Sequence, residues 1–169
     1  MKRFFTSDTH FSDQRVLVLS RRPFNSVEHM DDEMIANWNS VVSADDVVFH
    51  LGDFGNYDIS HSLNGRIFLL YGNYERKNPP EQQYNFNTIW TSNNKLIPFE
   101  EGTVALIHEP SHRIPFMFNL FGHVHKLSMI KSFGLNVGVD CHNYAPISDE
   151  TVSFYKNAIE NHYDYEVFI

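Results

Sequence analysis

Phe4-Phe5-Thr6-Ser7-Asp8-Thr9-His10 is a short apolar run that ends in a carboxylate and an imidazole two residues apart. Asp-x-His alone is a weak signal, since short polar residues often cap the ends of strands. Four later stretches repeat the arrangement, each placing oxygen or nitrogen donors just after an apolar run: Leu51-Gly52-Asp53, Tyr71-Gly72-Asn73, Leu106-Ile107-His108 and Phe121-Gly122-His123-Val124-His125. Taken singly, Asp8 and Asp53 read as caps, Asn73 as a turn residue and His108 as a satisfied core histidine. Five such stretches in one chain point instead to a site for two metal ions, because loops at the carboxyl ends of sheet strands converge on one crevice.

Outward from this stretch, Arg3 to Ser7 reads as a first strand, with His10 in the loop beyond it. Gln14 to Arg21 reads as a short helix, broken by Pro23, which cannot continue a helical hydrogen-bond ladder. Ser26 caps the next helix, Val27 to Val42, whose Met30, Met34, Ile35 and Trp38 recur at helical spacing and form a core-facing stripe. Val47 to Leu51 and Arg66 to Tyr71 are continuous apolar runs of the kind a strand buried on both faces shows, with Ile59 to Leu63 a helical turn between them. Thr88 to Ser92, Lys95 to Phe99 and Thr103 to Ile107 read as an antiparallel meander, turning at Asn93-Asn94 and Glu101-Gly102. Phe116 to Phe121 and Leu135 to Val139 are further strands, and Asp149 to Asn161 is a terminal helix. Periodicity supports an α/β fold. Residues 76–87 have no clear assignment.

The chain has 169 residues, the size of one domain, so a single unit over 1–169 is expected. Hydrophobic residues make up 42% and aromatic ones 15%, with 15 Phe and 8 Tyr, which predicts a packed core rich in Phe. One cysteine, Cys141, excludes an intramolecular disulfide and suits a reducing compartment. The N-terminal apolar run stops at Asp8, too soon for a signal peptide, and nothing approaches the roughly 18 apolar residues of a spanning helix. No membrane partner is expected, and cytoplasm is the expected location. A formal charge of −8, with no basic stripe, argues against long nucleic acid as a partner. A phosphate would have to be attracted locally, and bound divalent cations would supply that charge.

The ordered series Asp-x-His, Gly-Asp, Gly-Asn, His and Gly-His-x-His resembles the calcineurin-like metallophosphoesterases over nearly the whole chain. Ser7-Asp8-Thr9-His10-Phe11, Arg22-Pro23-Phe24, Trp38-Asn39, Gly52-Asp53-Phe54 and Asn136-Val137-Gly138-Val139-Asp140 resemble its small phage and bacterial branch. The resemblance implies a four-layer α/β-β/α sandwich of two mixed sheets flanked by helices. It also implies a bacterial cytoplasm, or a host's if the chain is phage-encoded. By the family's pattern, Asp8, His10 and His125 would hold one metal and Asn73, His108 and His123 the second, with Asp53 bridging. A carboxylate between two cations roughly 3.5–4 Å apart offsets their repulsion. These mixed donors suit Mn first, with Fe, Zn, Ni or Mg as alternatives. His123 and His125 are one residue apart, so a bend after Gly122 is expected to let each face a different metal.

The activity so implied is phosphodiester or phosphomonoester hydrolysis by a bridging hydroxide, on a small phosphorylated substrate of nucleotide type. One motif departs from the family: Gly72-Asn73-Tyr74-Glu75 stands where the family has Gly-Asn-His-Asp or Gly-Asn-His-Glu. The histidine credited with protonating the leaving group is therefore absent. Asp53, Asn73 and Tyr74 are the catalytic candidates. Tyr74 is either a weaker proton donor or an aromatic wall over the metals, and its presence raises an alternative function, a metal-containing protein that binds a phosphorylated ligand with impaired catalysis. Arg22 and Arg113 are candidates for a phosphate contact. His29, His61, His112 and His162 read as solvated, His50 as a sheet residue, and His142 has no assigned role. Phe116-Met117-Phe118 and Tyr163 to Ile169 could form an interface or fill a core.

Overall fold

A computed structural model describes residues 1–81, 83–99 and 102–164. In chain order the elements are β1 Arg3–Thr6, α1 Gln14–Leu19, α2 Val27–Val41, β2 Val47–His50, β3 Arg66–Leu70, α3 Asn73–Lys77 and β4 Phe86–Trp90. They continue with β5 Asn94–Phe99, β6 Gly102–Ile107, β7 Phe118–Phe121, β8 Ile130–Lys131, β9 Gly134–Asn136, β10 Ile147–Ser148 and α4 Asp149–Asn161. Two mixed five-stranded sheets result, ordered β10-β1-β2-β3-β4 and β5-β6-β7-β9-β8. In the first, β1 to β4 run parallel and β10 is antiparallel to β1. In the second, β6, β7 and β9 run parallel, while β5 and β8 are antiparallel edges.

Strand alternation sends successive side chains to opposite faces, and here both faces are buried. From β1, β2 and β3, Phe5, Phe49 and Leu70 meet Val104, Leu106, Phe118 and Leu120 of the second sheet. Phe4, Val48, Ile67 and Leu69 face the other way, onto Met30, Met34 and Trp38 of α2. This is the stripe the helical spacing predicts, and Ser26 caps the helix by accepting from the His29 amide. The terminal helix α4 lies against β9, β10 and β1, and its Val152 and Ile159 join the core between the sheets. On the far face of the second sheet, Asn119 staples a loop in place: its Oδ1 accepts from the Ile114 amide and its Nδ2 donates to the carbonyls of Met117 and Ile114. Among the described residues no helix is long and apolar enough to cross a membrane.

The expected antiparallel meander is corrected in one element. β4 pairs parallel to β3 at the edge of the first sheet, and only β5 and β6 are antiparallel neighbours. Ser92 and Asn93 therefore carry the chain from one sheet to the other; short apolar runs separated by polar turns look the same in either case. The turn read at Glu101-Gly102 and the aromatic tail after Asp164 fall partly or wholly outside the described residues. The sheets join where their parallel strands end. Ser7, just past β1, bridges Gly138, just past β9, and the Val139 amide donates to the Ser7 carbonyl at 3.0 Å.

Candidate metal centre

The carboxyl ends of five parallel strands meet at that junction. Asp8 and His10 follow β1, Asp53 follows β2, Asn73 follows β3, His108 follows β6, and His123 and His125 follow β7. The loops are tied together by their backbones: the Asp8 amide donates to Gly52 O and the His10 amide to Asp53 O, both at 3.0 Å, and the Gly122 amide donates to His108 O. Two groups of donors form. Asp8, His10 and His125 make one, and Asp53, His108 and His123 the other, each with ligand atoms within 4.8 Å of one another. The Asn73 amide nitrogen lies 3.3 Å from His123 Nδ1, at the edge of the second group.

Asp53 sits between the two groups. Its Oδ2 is 3.5 Å from His10 Nε2 and 3.5 Å from His108 Nε2, while its Oδ1 accepts from the Tyr74 amide at 2.8 Å. Both His10 ring nitrogens and His108 Nε2 are buried without a hydrogen-bond partner among the described residues. Unpaired polar atoms in a protein interior cost of order 1–3 kcal/mol each, so orphans aimed at carboxylates call for a further partner. Divalent cations fit this donor set: imidazole and carboxylate are the ligands such ions take.

The outer contacts orient the rings for that purpose. His108 Nδ1 is 2.8 Å from the Leu51 carbonyl and His125 Nδ1 is 2.8 Å from Asp140 Oδ2, so each Nδ1–H is occupied and each ring can turn its Nε2 toward a cation. Burial alone would lower the pKa of His108, but its pairing with Asp53 and the charge of Asp8 outweigh burial and hold it at about 9. Burial lowers His10 despite the neighbouring carboxylates. Asp53 is opposed by burial, yet His108, the Tyr74 amide and His10 pull its carboxyl well below the usual range. His50 is a buried sheet residue: Thr9 Oγ1 lies 2.9 Å from its Nε2, and burial pushes it down to about 3, so it stays neutral.

Three further residues support the donors. Asp140 is gripped by Arg22, with Nε to Oδ1 at 3.0 Å and Nη2 to Oδ2 at 2.9 Å. Burial works against ionisation of Asp140, but His125 and Arg22 prevail and bring its pKa to about 2. Arg22 also donates to the carbonyls of Thr9 and Asp8. Its donors are spent inside the protein and its side chain is fully buried, so Arg22, a candidate for a phosphate contact, has a structural role instead. The third is Glu75, fully buried, whose oxygens accept from the amides of Asp53, Phe54 and Gly72, each at 2.8 Å. These residues lie 3 to 118 positions from what they hold. All three stand in stretches that carry the resemblance, Arg22 in Arg22-Pro23-Phe24, Glu75 in Gly72-Asn73-Tyr74-Glu75 and Asp140 at the end of Asn136 to Asp140, but nothing local to those stretches shows what each one holds.

The bend expected after Gly122 is present, and the histidines carry it themselves. His123 (φ 71°) and His125 (φ 49°) themselves take the left-handed conformation, as do Asp8 (57°), His10 (49°) and Asp53 (57°). Gly122 is needed for close approach: a Cβ there would overlap Ser7 Oγ and the Asp8 carboxylate. Arg113 lies over the Phe133 ring, 5.0 Å from its centroid, and lines none of the clefts beside the donors. His142 Nε2 is 2.7 Å from the Asn136 carbonyl, an ordinary buried contact. The Tyr74 ring packs edge-on against Tyr57 and lines two clefts at the site.

No family model matches the chain. An uncharacterised protein of Methanocaldococcus jannaschii is 28% identical over 165 residues, covering 87% of this chain and 86% of that one. The gene 66 protein of mycobacterium phage L5 is 33% identical over 85 residues, 45% of this chain and 41% of its own length. Among solved structures, a protein of unknown function from Aquifex aeolicus superposes with a TM-score of 0.70 at 22% identity, over 91% of this chain and 98% of that one, which shows a shared fold. A phosphoesterase from E. coli aligns at a TM-score of 0.39 and 14% identity, too distant to bear on fold or activity.

Proposed function

We propose that the chain is a metal-dependent phosphoesterase of the calcineurin-like kind, acting on a small phosphorylated substrate of nucleotide type. The observation that carries this reading is Asp53 Oδ2, equidistant from unpartnered nitrogens of two separate donor groups. That is how a carboxylate shared by two cations is held ready. Asp8, His10 and His125 with Asp53 would hold one ion, and His108, His123 and Asn73 with Asp53 the other, Mn being the first choice. When bound, such ions supply Lewis acidity toward phosphoryl oxygens and a nucleophile at neutral pH.

The chain's own residues do the rest. The Leu51 carbonyl and Asp140 fix the tautomers of His108 and His125, and Arg22 fixes Asp140. Glu75 holds the Asp53 and Gly72 amides, and hence the loops carrying Asp53 and Asn73. Tyr74 keeps its proton: burial raises its pKa above the usual phenol value, helped by Glu75 and Asp13. It is therefore a hydrogen-bond donor at pH 7 and a much weaker acid than an imidazolium.

Tyr74 in place of a histidine favours a second reading, a phospho-ligand binder with little turnover. One experiment separates the two. Metal content is measured after purification, followed by hydrolysis of an activated aryl phosphodiester and monoester with added Mn. Bound metal with turnover is the expected result; metal without turnover would leave the binder, and no metal would sink both.

A further inference from the structure

Two clefts open on the donors and a third lies next to them, and one side chain lines all three. Arg15, in the first turn of α1, borders a cleft of about 610 Å³ with His10, His123 and His125, a second with Tyr74 and Asn56, and a third with His10, Asp53 and Tyr74. Its side chain is 75% exposed, which ordinarily means a freely moving surface residue, yet here it is tethered. Nε and Nη2 donate to the two oxygens of Asp13 at 2.9 and 2.7 Å. Asp13 in turn caps α1 by accepting from the Arg15 amide, with its own side chain only 12% exposed. A guanidinium has five N–H groups in a rigid fork. The pair with Asp13 uses two, leaving Nη1 and one hydrogen of Nη2 without a protein partner among the described residues. The Tyr74 phenol is close enough that the two groups influence each other's charge. Arg21 and Lys126 line the large cleft and Lys77 the third, so cations gather here in a chain of net charge −8.

We propose that Arg15 is a catalytic residue of this site, contacting the phosphoryl group and the departing oxygen where the family's histidine is absent. The proposal rests on the phosphoesterase reading. As the new P–O bond to the nucleophile forms and the P–O bond to the leaving group breaks, the electron pair of the broken bond passes to the leaving oxygen. Arg15 donates hydrogen bonds to that oxygen and keeps its proton, since arginine does not deprotonate in proteins. The leaving oxygen then takes its proton from water. The plain rival is that Arg15 and Asp13 are an exposed ion pair that caps α1, contributing little to stability and irrelevant to substrate.

Arg15→Met separates them, with inorganic phosphate as the probe. The metal-loaded variant should keep its metal content and melting temperature. It should bind phosphate at least about tenfold more weakly, the loss expected when a charged hydrogen-bond donor is removed. Across aryl phosphodiesters of graded leaving-group pKa, kcat should fall more steeply than in the native protein. Arg15→Lys keeps the charge without the fork and should recover part of both losses. Phosphate affinity and leaving-group dependence unchanged in Arg15→Met would overturn the proposal, as would loss of metal, which would make Arg15 a prop for Asp13 and His10. A native protein that holds no metal and turns nothing over would instead overturn the phosphoesterase reading itself.

Discussion

Asp53 is the residue on which the two donor groups depend, because among the described residues it alone is within 3.5 Å of unpartnered nitrogens from both. Asp53→Asn replaces an anionic oxygen by a neutral amide, so the variant should lose turnover and one or both metals; full metal occupancy with native turnover would rule out bridging. Its neighbour His108 predicts a pH effect. A histidine raised to about 9 in the metal-free fold carries a proton at pH 7–8, and the stability from its pairing with Asp53 is complete below 6.5 and lost as pH rises through 9. A cation needs the same Nε2, so metal uptake at pH 8 should release about one proton from this site. Titration calorimetry in two buffers of different ionisation enthalpy counts that proton, and equal heats in both would show that His108 is already neutral. Five donor residues, Asp8, His10, Asp53, His123 and His125, hold left-handed backbone that costs of order 1 kcal/mol or more each in non-glycine residues. Such strain persists only where surrounding contacts fix it, and here the fixing contacts are Arg22 on the carbonyls of Asp8 and Thr9 and Glu75 on the amides of Asp53 and Phe54.

At the scale of the element, each donor lies one to four residues beyond a parallel strand, and this was legible in the sequence because apolar runs ending in polar donors are local patterns. What holds the donors was not. Arg22 and Asp140 are 118 residues apart, and only the fold reveals that they form a buried pair behind His125. The two-residue strands β8 and β10 are too short to show any period, and the sheet to which β4 belongs depends on its partner rather than on its own residues. The Arg22–Asp140–His125 chain makes a prediction of its own. Asp140→Asn keeps the shape but weakens the acceptor for His125 Nδ1–H, so metal affinity should fall roughly 10–100-fold. Because Arg22 then faces a neutral amide in a buried setting, stability should also drop by about 3 kcal/mol. Competition with a fluorescent chelator measures the first effect and urea melting the second; unchanged metal affinity in a folded variant would remove Asp140 from the site's support. By contrast, Ile67→Ala in β3 opens a cavity on the α2 side of the first sheet and should cost about 2–5 kcal/mol, with the metal affinity of the folded fraction unaltered.

For the molecule as a whole, the donor groups do more than gather ligands, because each draws from both sheets. Asp8 and His10 leave the first sheet and His125 the second; Asp53 leaves the first and His108 and His123 the second. Besides the core between the sheets, the ties at this end include the bridge of Ser7 to Gly138, the buried Arg22–Asp140 ion pair and hydrogen bonds between the loops, and a bound cation would add a cross-link between the layers. A ligand that binds only the folded state at a hundred times its Kd stabilises by about 2.7 kcal/mol, which for a chain of this size is roughly 5–11 °C in Tm. Adding EDTA to the metal-loaded protein should lower Tm by that amount and excess Mn should restore it, with the shift largely abolished in Asp53→Asn. If native protein and Asp53→Asn melted at the same temperature with Mn and with EDTA, the donors would not bind metal tightly enough to tie the sheets together. A shift of equal size in both would put the stabilising ion somewhere other than between Asp8 and Asp53.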